Sequence, residues 1–122
     1  MPGSGGDGAL SDLESPATSL IDAPARDWRN GRLIAGRGIQ LKTRRPVFTT
    51  LAQVTTQPRS PVVTIWFDNT GTATRARIDL SSGYPEIDEP ILDSLYRWRA
   101  TGKQIDSLKT GETVKIQLRL LL

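Results

Sequence analysis

The chain has 122 residues, a length that is enough for one small domain. Of these residues 37% are apolar, and the mean hydropathy is −0.33. It contains no Cys and no His, which excludes disulfides and removes the commonest general base and transition-metal ligand. Residues 1–30 carry a net charge of −3 (two basic and five acidic side chains), whereas residues 31–122 carry +6 (fourteen basic and eight acidic). The basic part permits an anionic partner. We expect neither a cofactor nor a metal ion.

Residues 1–30 are predicted to form a flexible tail, because they combine acidic charge with eleven Gly, Pro or Ser residues. A short helix is expected at 23–30, where Asp22 can cap the first turn and Pro24 needs no N–H. The folded domain is predicted over 31–122. The chain has neither an apolar run of about 18 residues that could span a membrane nor a signal peptide, which suits a cytoplasmic protein or a piece of a longer one.

The first half of the predicted domain carries weaker signals. Alternation of apolar and polar residues over 38–42 predicts a strand. Pro46-Val47-Phe48 leads into residues 49–56, whose apolar spacing predicts one or two helical turns that end before Pro58. Together with 23–30, these turns form the short N-terminal helices of the predicted fold.

Residues 62–80 predict a β-hairpin. Val62–Phe67 is β-branched and aromatic, Asp68–Gly71 favours a tight turn, and Thr74–Leu80 returns. Alternation along both strands separates the side chains onto two faces. The apolar face consists of Val63, Ile65, Phe67, Ala76, Ile78 and Leu80. The polar face consists of Thr64, Trp66, Arg75, Arg77 and Asp79.

A helix and a last strand complete the pattern. The helix is predicted over 88–100, with Asp88 as its cap and Gly102 as its end. Its apolar residues form one buried stripe at helical spacing, namely Ile87, Ile91, Leu95 and Trp98. After a turn at 110–112, residues 114–120 alternate regularly between apolar and polar, which predicts a strand.

These elements predict an α+β fold with a three-stranded antiparallel sheet. The hairpin strands and the last strand take the order 2-1-3, because the helix between the second and third strands forms a right-handed crossover on one face. The last strand is then an edge strand. Its outward N–H and C=O groups could pair with an extended peptide.

Five motifs follow one another within residues 62–122. They are the strand and acidic-x-x-Gly turn Val62–Gly71, Ser81-Ser82-Gly83, Ile87-Asp88, Tyr96-Arg97-Trp98 and the terminal alternating strand. In this order they resemble the C-terminal domain of TonB-type energy transducers. The similarity covers about residues 46–122, with Pro46-x-Phe48 where the family has Pro-x-Tyr-Pro. Thr49 stands at the second proline of that segment.

The resemblance implies a periplasmic domain without enzymatic activity that serves outer-membrane transport such as siderophore uptake. It would bind a TonB-box-like peptide of an outer-membrane receptor by β-strand addition. Inner-membrane proton-driven motor proteins would act on it through an upstream membrane anchor, which this sequence does not contain. A homodimer through the edge strand is a further expectation. The partner-binding residues would be Val114, Lys115, Ile116, Gln117, Leu118, Arg119, Leu120, Pro46 and Phe48.

Two other functions fit the residues. The polar sheet face could bind nucleic acid, because it combines an aromatic ring with cations. Its residues would be Trp66, Arg75, Arg77, Lys115 and Arg119. The domain could also serve only as a scaffold in an assembly.

The remaining polar motifs are interpreted as structural. Asp88 and Glu89 are consecutive, so on a helix their carboxylates diverge, and their place at a helix start explains them. Ser81-Ser82-Gly83 has no His to act as a base. Arg44-Arg45 and Arg97-x-Arg99 are interpreted as solvated or packing charges rather than phosphate sites. We therefore expect no catalytic residue.

Overall fold

The computed structural model describes residues 20–36, 38–48 and 57–122. The strands are β1 (Ile21–Ala23), β2 (Arg32–Gly36), β3 (Ile39–Lys42), β4 (Val62–Asp68), β5 (Ala73–Leu80), β6 (Arg99–Gly102) and β7 (Thr113–Leu120). The helices are α1 (Ala25–Trp28), α2 (Pro85–Leu95) and α3 (Lys103–Asp106). The fold class is therefore α+β, as predicted. The helical turns predicted at 49–56 lie outside the described residues.

The main sheet has the strand order β1-β7-β4-β5. β4 pairs antiparallel with β5 on one side and with β7 on the other, which confirms the predicted order of these three strands. β1 was not predicted. It pairs in parallel with β7, from Ile21 opposite Leu118 to Ala23 opposite Leu120. The prediction that the last strand is an edge is wrong over this stretch, because β1 lies outside it.

A second sheet of three strands has the order β2-β3-β6, whereas the sequence predicted a single sheet. Its central strand β3 agrees with the strand predicted at 38–42. β6 begins within the predicted 88–100 helix. The end of that helix was wrongly predicted, because α2 stops at Leu95 and the chain then extends to pair with β3. β2 and β6 are short, and their pairing with β3 is a tertiary effect that local sequence does not encode.

The start of α2 also differs from the prediction. Tyr84 is its N-cap residue and Pro85 its first helical residue, where the missing N–H costs nothing. Asp88 lies inside the helix and was wrongly predicted as the cap. Gly102, predicted to end the helix, instead ends β6 with a φ of 129°, and a Cβ there would lie 1.7 Å from the Gly38 carbonyl oxygen.

The segment from Ile21 to Trp28 belongs to the folded core. Only Ala25–Trp28 is helical, and the N-cap residue is Pro24 rather than the predicted Asp22. The Trp28 ring is fully buried, and its indole Nε1 donates a hydrogen bond of 3.0 Å to the Leu121 carbonyl. Because a buried Trp removes a large apolar area from water, this contact ties α1 to the end of β7.

One hydrophobic core joins the two sheets. Side chains from both sheets and from α2 belong to a single buried cluster, in which Trp98 is fully buried. The turn between β4 and β5 contacts the second sheet directly, because the Gly71 carbonyl accepts a 2.9 Å bond from the Ala100 N–H. A Cβ on Gly71 would lie 2.1 Å from the Ala100 carbonyl oxygen, so this close approach requires glycine.

Candidate functional site

The predicted peptide-binding residues 114–120 all lie on β7. The apolar ones (Val114, Ile116, Leu118 and Leu120) are buried in the core. The polar ones (Lys115, Gln117 and Arg119) are half-buried on the opposite face. β4 pairs with one edge of β7 from Thr113 to Arg119, and β1 pairs with the other edge at Leu118–Leu120. The strand that was predicted to receive a peptide thus already receives a segment of its own chain.

Pro46 and Phe48 were also predicted to contact the partner. Pro46 is buried, and Phe48 is partly buried against the hydrophobic core. Both side chains therefore have a packing role in the domain. Contact with a partner stays a prediction for these two residues.

The other edge of the main sheet is β5, and Tyr96 covers its middle. The Tyr96 hydroxyl accepts a 3.3 Å bond from the Ala76 N–H and lies 3.4 Å from the Ala76 carbonyl oxygen, to which it can donate. Leu80, at the end of β5, is 48% exposed. Because Tyr96 satisfies the outward backbone groups of Ala76, it protects the centre of this edge against pairing with another strand.

The residues predicted to bind nucleic acid do lie together, on the face of the main sheet that points away from the core. Trp66 is opposite Arg75 on β5 and opposite Lys115 on β7. The guanidinium carbons of Arg75 and Arg77 lie 4.7 and 5.2 Å from the centroid of the Trp66 ring, which is only 8% exposed. The ring is therefore covered by cations rather than presented to a base.

The Asp79 carboxylate accepts several hydrogen bonds in the middle of this face. Asp79 accepts bonds from the Thr64 hydroxyl, from Arg77 Nε at 2.6 Å and from Gln117 Nε2 at 3.2 Å. Its burial alone would raise the pKa of Asp79, but these hydrogen bonds outweigh the burial and hold the pKa below its ordinary value. At the end of the face, Arg119 pairs with Asp22 of β1 at 3.1 Å.

Two motifs of the TonB resemblance contact each other. The Asp88 carboxylate accepts bonds from the Ser81 hydroxyl, from the Ser82 N–H at 2.9 Å and from the Ser82 hydroxyl at 2.6 Å. Burial raises the pKa of Asp88, and the three hydrogen bonds lower it further than burial raises it. Asp88 therefore fixes the Ser-Ser-Gly turn onto α2. The carboxylate has a structural role, as the sequence indicated, but at the turn rather than at the helix start.

The acidic-x-x-Gly turn is held in a similar way. Asp68 Oδ1 accepts bonds from the Thr70 hydroxyl at 2.6 Å, from the Thr70 N–H at 2.9 Å and from the Thr72 N–H at 3.1 Å. The Thr70 hydroxyl is the main reason why the pKa of Asp68 lies below its ordinary value. The carboxylate closes the turn that brings Gly71 against Ala100.

The chain matches no protein-family model. It also matches no curated protein and no solved structure. The resemblance to TonB C-terminal domains thus rests on the sequence motifs alone.

Two features are absent from the described ranges, a cluster of metal-ligating side chains and a membrane-spanning helix. Within residues 20–36, 38–48 and 57–122, no three side chains of the metal-ligating types cluster together. No helix in these ranges has the length and apolar character needed to span a membrane, and α2 has only eleven residues.

Six cationic side chains that the sequence did not group lie together beside the second sheet. We call this surface the basic groove, and its residues are Arg32, Lys42, Arg44, Arg45, Arg97 and Arg99. Two pairs of them, Arg44-Arg45 and Arg97-x-Arg99, were interpreted from the sequence as solvated or packing charges rather than phosphate sites. The alternation of Gln40 and Lys42 along β3 signals an exposed face, but only the pairing of β2, β3 and β6 brings the cations together.

Proposed function

We propose that this chain is a non-enzymatic protein-binding domain, the partner-binding domain of a TonB-like energy transducer in the periplasm. An outer-membrane receptor supplies a short extended peptide, and the domain binds it by β-strand addition to β7. In the full protein an upstream anchor connects the domain to the inner membrane and its proton-driven motor. The motif contacts around Asp88 and Gly71 support the family assignment.

The observation that carries the proposal is the parallel pairing of β1 with β7. A segment of only three residues, Ile21–Ala23, adds to the edge of β7 at Leu118–Leu120, and the Leu121 N–H closes the pairing on the Ala23 carbonyl at 3.0 Å. A receptor peptide would make the same main-chain bonds. The edge of β7 therefore has the chemistry that strand addition needs.

In this proposal the peptide replaces β1 rather than filling an empty edge. β1 is held by its short pairing with β7, by the burial of Ala23 and by the ion pair between Asp22 and Arg119. This ion pair lies at the surface and therefore contributes little to stability. α1 is held in the core separately, by the buried Trp28 indole. Because Pro24 separates the two elements, β1 can leave the edge while α1 stays in the core.

A disulfide between β1 and β7 tests the proposal. Asp22 and Arg119 lie opposite each other in the parallel register and form an ion pair, so Asp22→Cys with Arg119→Cys brings two thiols within bridging distance. Oxidation locks β1 in place. We expect a labelled receptor-type peptide to bind the oxidised form about tenfold or more weakly than the reduced form, measured by fluorescence anisotropy.

The reduced protein is the matched control, because it has the same two substitutions. In the reduced form, chemical shifts of 114–120 should change on peptide addition. Equal affinity of the oxidised and reduced forms would reject β7 as the site. Ile78→Pro then tests β5, because the Ile78 N–H points away from β4, as the Ala76 N–H does.

The nucleic-acid alternative has weaker support, because a base could stack on Trp66 only after displacing Arg75 and Arg77. Its test is a titration with single-stranded RNA. Shifts of the Trp66 and Arg75 signals with a steep salt dependence would favour it over peptide binding.

A further inference from the structure

The second sheet carries a row of like charges across its three strands. In the register, Arg32 on β2 is opposite Lys42 on β3, and Lys42 is opposite Arg99 on β6. All three side chains are exposed. Cations directly opposite each other on neighbouring strands repel and destabilise the sheet. This arrangement therefore costs folding free energy in the absence of a counter-charge.

The row continues into the rest of the basic groove. Arg44 and Arg45 follow β3, and Arg97 lies two residues before β6 begins, so that six cations line two adjoining pockets. Of these six cations, only Arg97 forms an ion pair with another residue of the described ranges, Asp93 at 3.1 Å. The groove holds a formal charge of +6, against +3 for the whole chain.

Buried contacts fix the backbone beneath these cations. The buried Thr43 hydroxyl donates to the Trp28 carbonyl, and the Trp98 indole Nε1 donates to the Arg44 carbonyl at 3.3 Å. The Arg99 guanidinium donates to the Trp98 carbonyl at 2.9 Å. A ligand would thus meet charges on a preorganised frame and would lose less entropy on binding.

We propose that the basic groove binds a compact ligand that carries two or more phosphate groups. The row spans two inter-strand distances, about 10 Å, over which two or three phosphates can lie. Five of the six cations are Arg, whose forked donors bind phosphate oxygens in pairs. Binding neutralises the repulsion within the row.

The surroundings favour a compact ligand over a broad anionic surface. Beside Arg45 and Arg97, the adjoining pocket is lined by Glu86, Glu89 and Asp93 of α2. A flat anionic surface would meet these carboxylates as well, whereas a small polyphosphate can stay within the row. The ligand is either a free molecule or the phosphorylated headgroup of a lipid.

The test is a calorimetric titration of the full chain with inorganic tripolyphosphate at physiological ionic strength. We expect binding that the pair Arg32→Gln and Lys42→Gln weakens about thirtyfold, the loss of two charged contacts. The matched control is Arg75→Gln with Arg77→Gln, which removes the same charge from the main sheet and should change the affinity less than about threefold. The Arg32 and Lys42 variant should melt no lower than the wild type, because it removes repulsion.

Two further arms identify the source of the phosphates. Co-sedimentation with vesicles that contain phosphatidic acid, but not with neutral phosphatidylcholine vesicles, indicates a lipid headgroup. Tripolyphosphate binding without co-sedimentation indicates a free ligand. Four results would overturn the proposal. Tripolyphosphate does not bind at all, or both variants lose affinity equally. Alternatively, polyglutamate binds as tightly as tripolyphosphate, or a single-stranded oligonucleotide binds much more tightly.

Discussion

The two sheets differ in how they treat their exposed cations. On the main sheet, Arg77 pairs with Asp79 at 2.6 Å, Arg119 pairs with Asp22, and Arg75 lies over the Trp66 ring. On the second sheet, Arg32, Lys42 and Arg99 face one another across the strands. The first arrangement gives each of these three cations a partner within the domain. In the second arrangement, the proposed ligand supplies the counter-charge for the cations.

This difference separates cations that stabilise the fold from cations that are available to a partner. From the sequence, the Trp66 face was the candidate site for nucleic acid in one alternative function, whereas Arg44 and Arg97 were interpreted as solvated or packing charges. Whether a charged residue on a sheet stabilises the fold or is available to a partner can be judged only when the residues opposite it on the neighbouring strands are known. The substitutions below test the comparison.

Trp66→Ala should have the largest effect. The ring is 8% exposed, and two guanidinium groups lie over it. Its loss should therefore lower the free energy of unfolding by about 3 kcal/mol. Urea denaturation measures this value. The control in the basic groove is Arg45→Ala, which should change stability by less than about 0.5 kcal/mol. A small effect at Trp66 would mean that its face is an open binding surface after all.

Asp79→Asn should be the next largest, at about 2 kcal/mol, because the carboxylate accepts three hydrogen bonds, one from a guanidinium. The pKa of Asp79 is lower in the folded state than its ordinary value of 3.8. Its contribution is therefore fully present above the unfolded pKa and is lost as the pH falls through the folded pKa.

The acid limb of the stability curve checks this sign. Wild-type stability should fall below about pH 4, and Asp79→Asn should make that fall shallower. Asp68 and Asp88 also have lowered pKa values, so part of the acid loss should remain in the variant. An unchanged acid limb would mean that Asp79 is not compensated as described.

The fold could be predicted where the signal is local. The hairpin and β7 follow from period-2 alternation and a tight turn, and their 2-1-3 order follows from one crossover helix. β1 and β6 have only three and four residues, and each exists because a distant strand accepts it. The predicted helix ran on to residue 100 because the helical spacing of Trp98 is equally compatible with a buried residue in an extended segment.

The candidate sites show the same limit. The residues of β7 and of the Trp66 face could be grouped from alternation within two or three long strands. The row of Arg32, Lys42 and Arg99 could not, because it depends on the register of three short strands, one of which, β6, is far from the other two in the chain. The occupation of the β7 edge by β1 was missed for the same reason.

Lys42→Glu should have the smallest effect on stability and the opposite sign. It places an anion between Arg32 and Arg99, so two repulsive neighbours become attractive, and the free energy of unfolding should rise by about 0.5 kcal/mol. Added salt should stabilise the wild type, because it screens the row, and should stabilise the variant less. Arg75→Glu is the control on the main sheet, where the same change removes a cation from the Trp66 ring and should lower stability. If both substitutions destabilise the chain equally, the cations of the two sheets are equivalent, and the basic groove has no repulsion for a ligand to relieve.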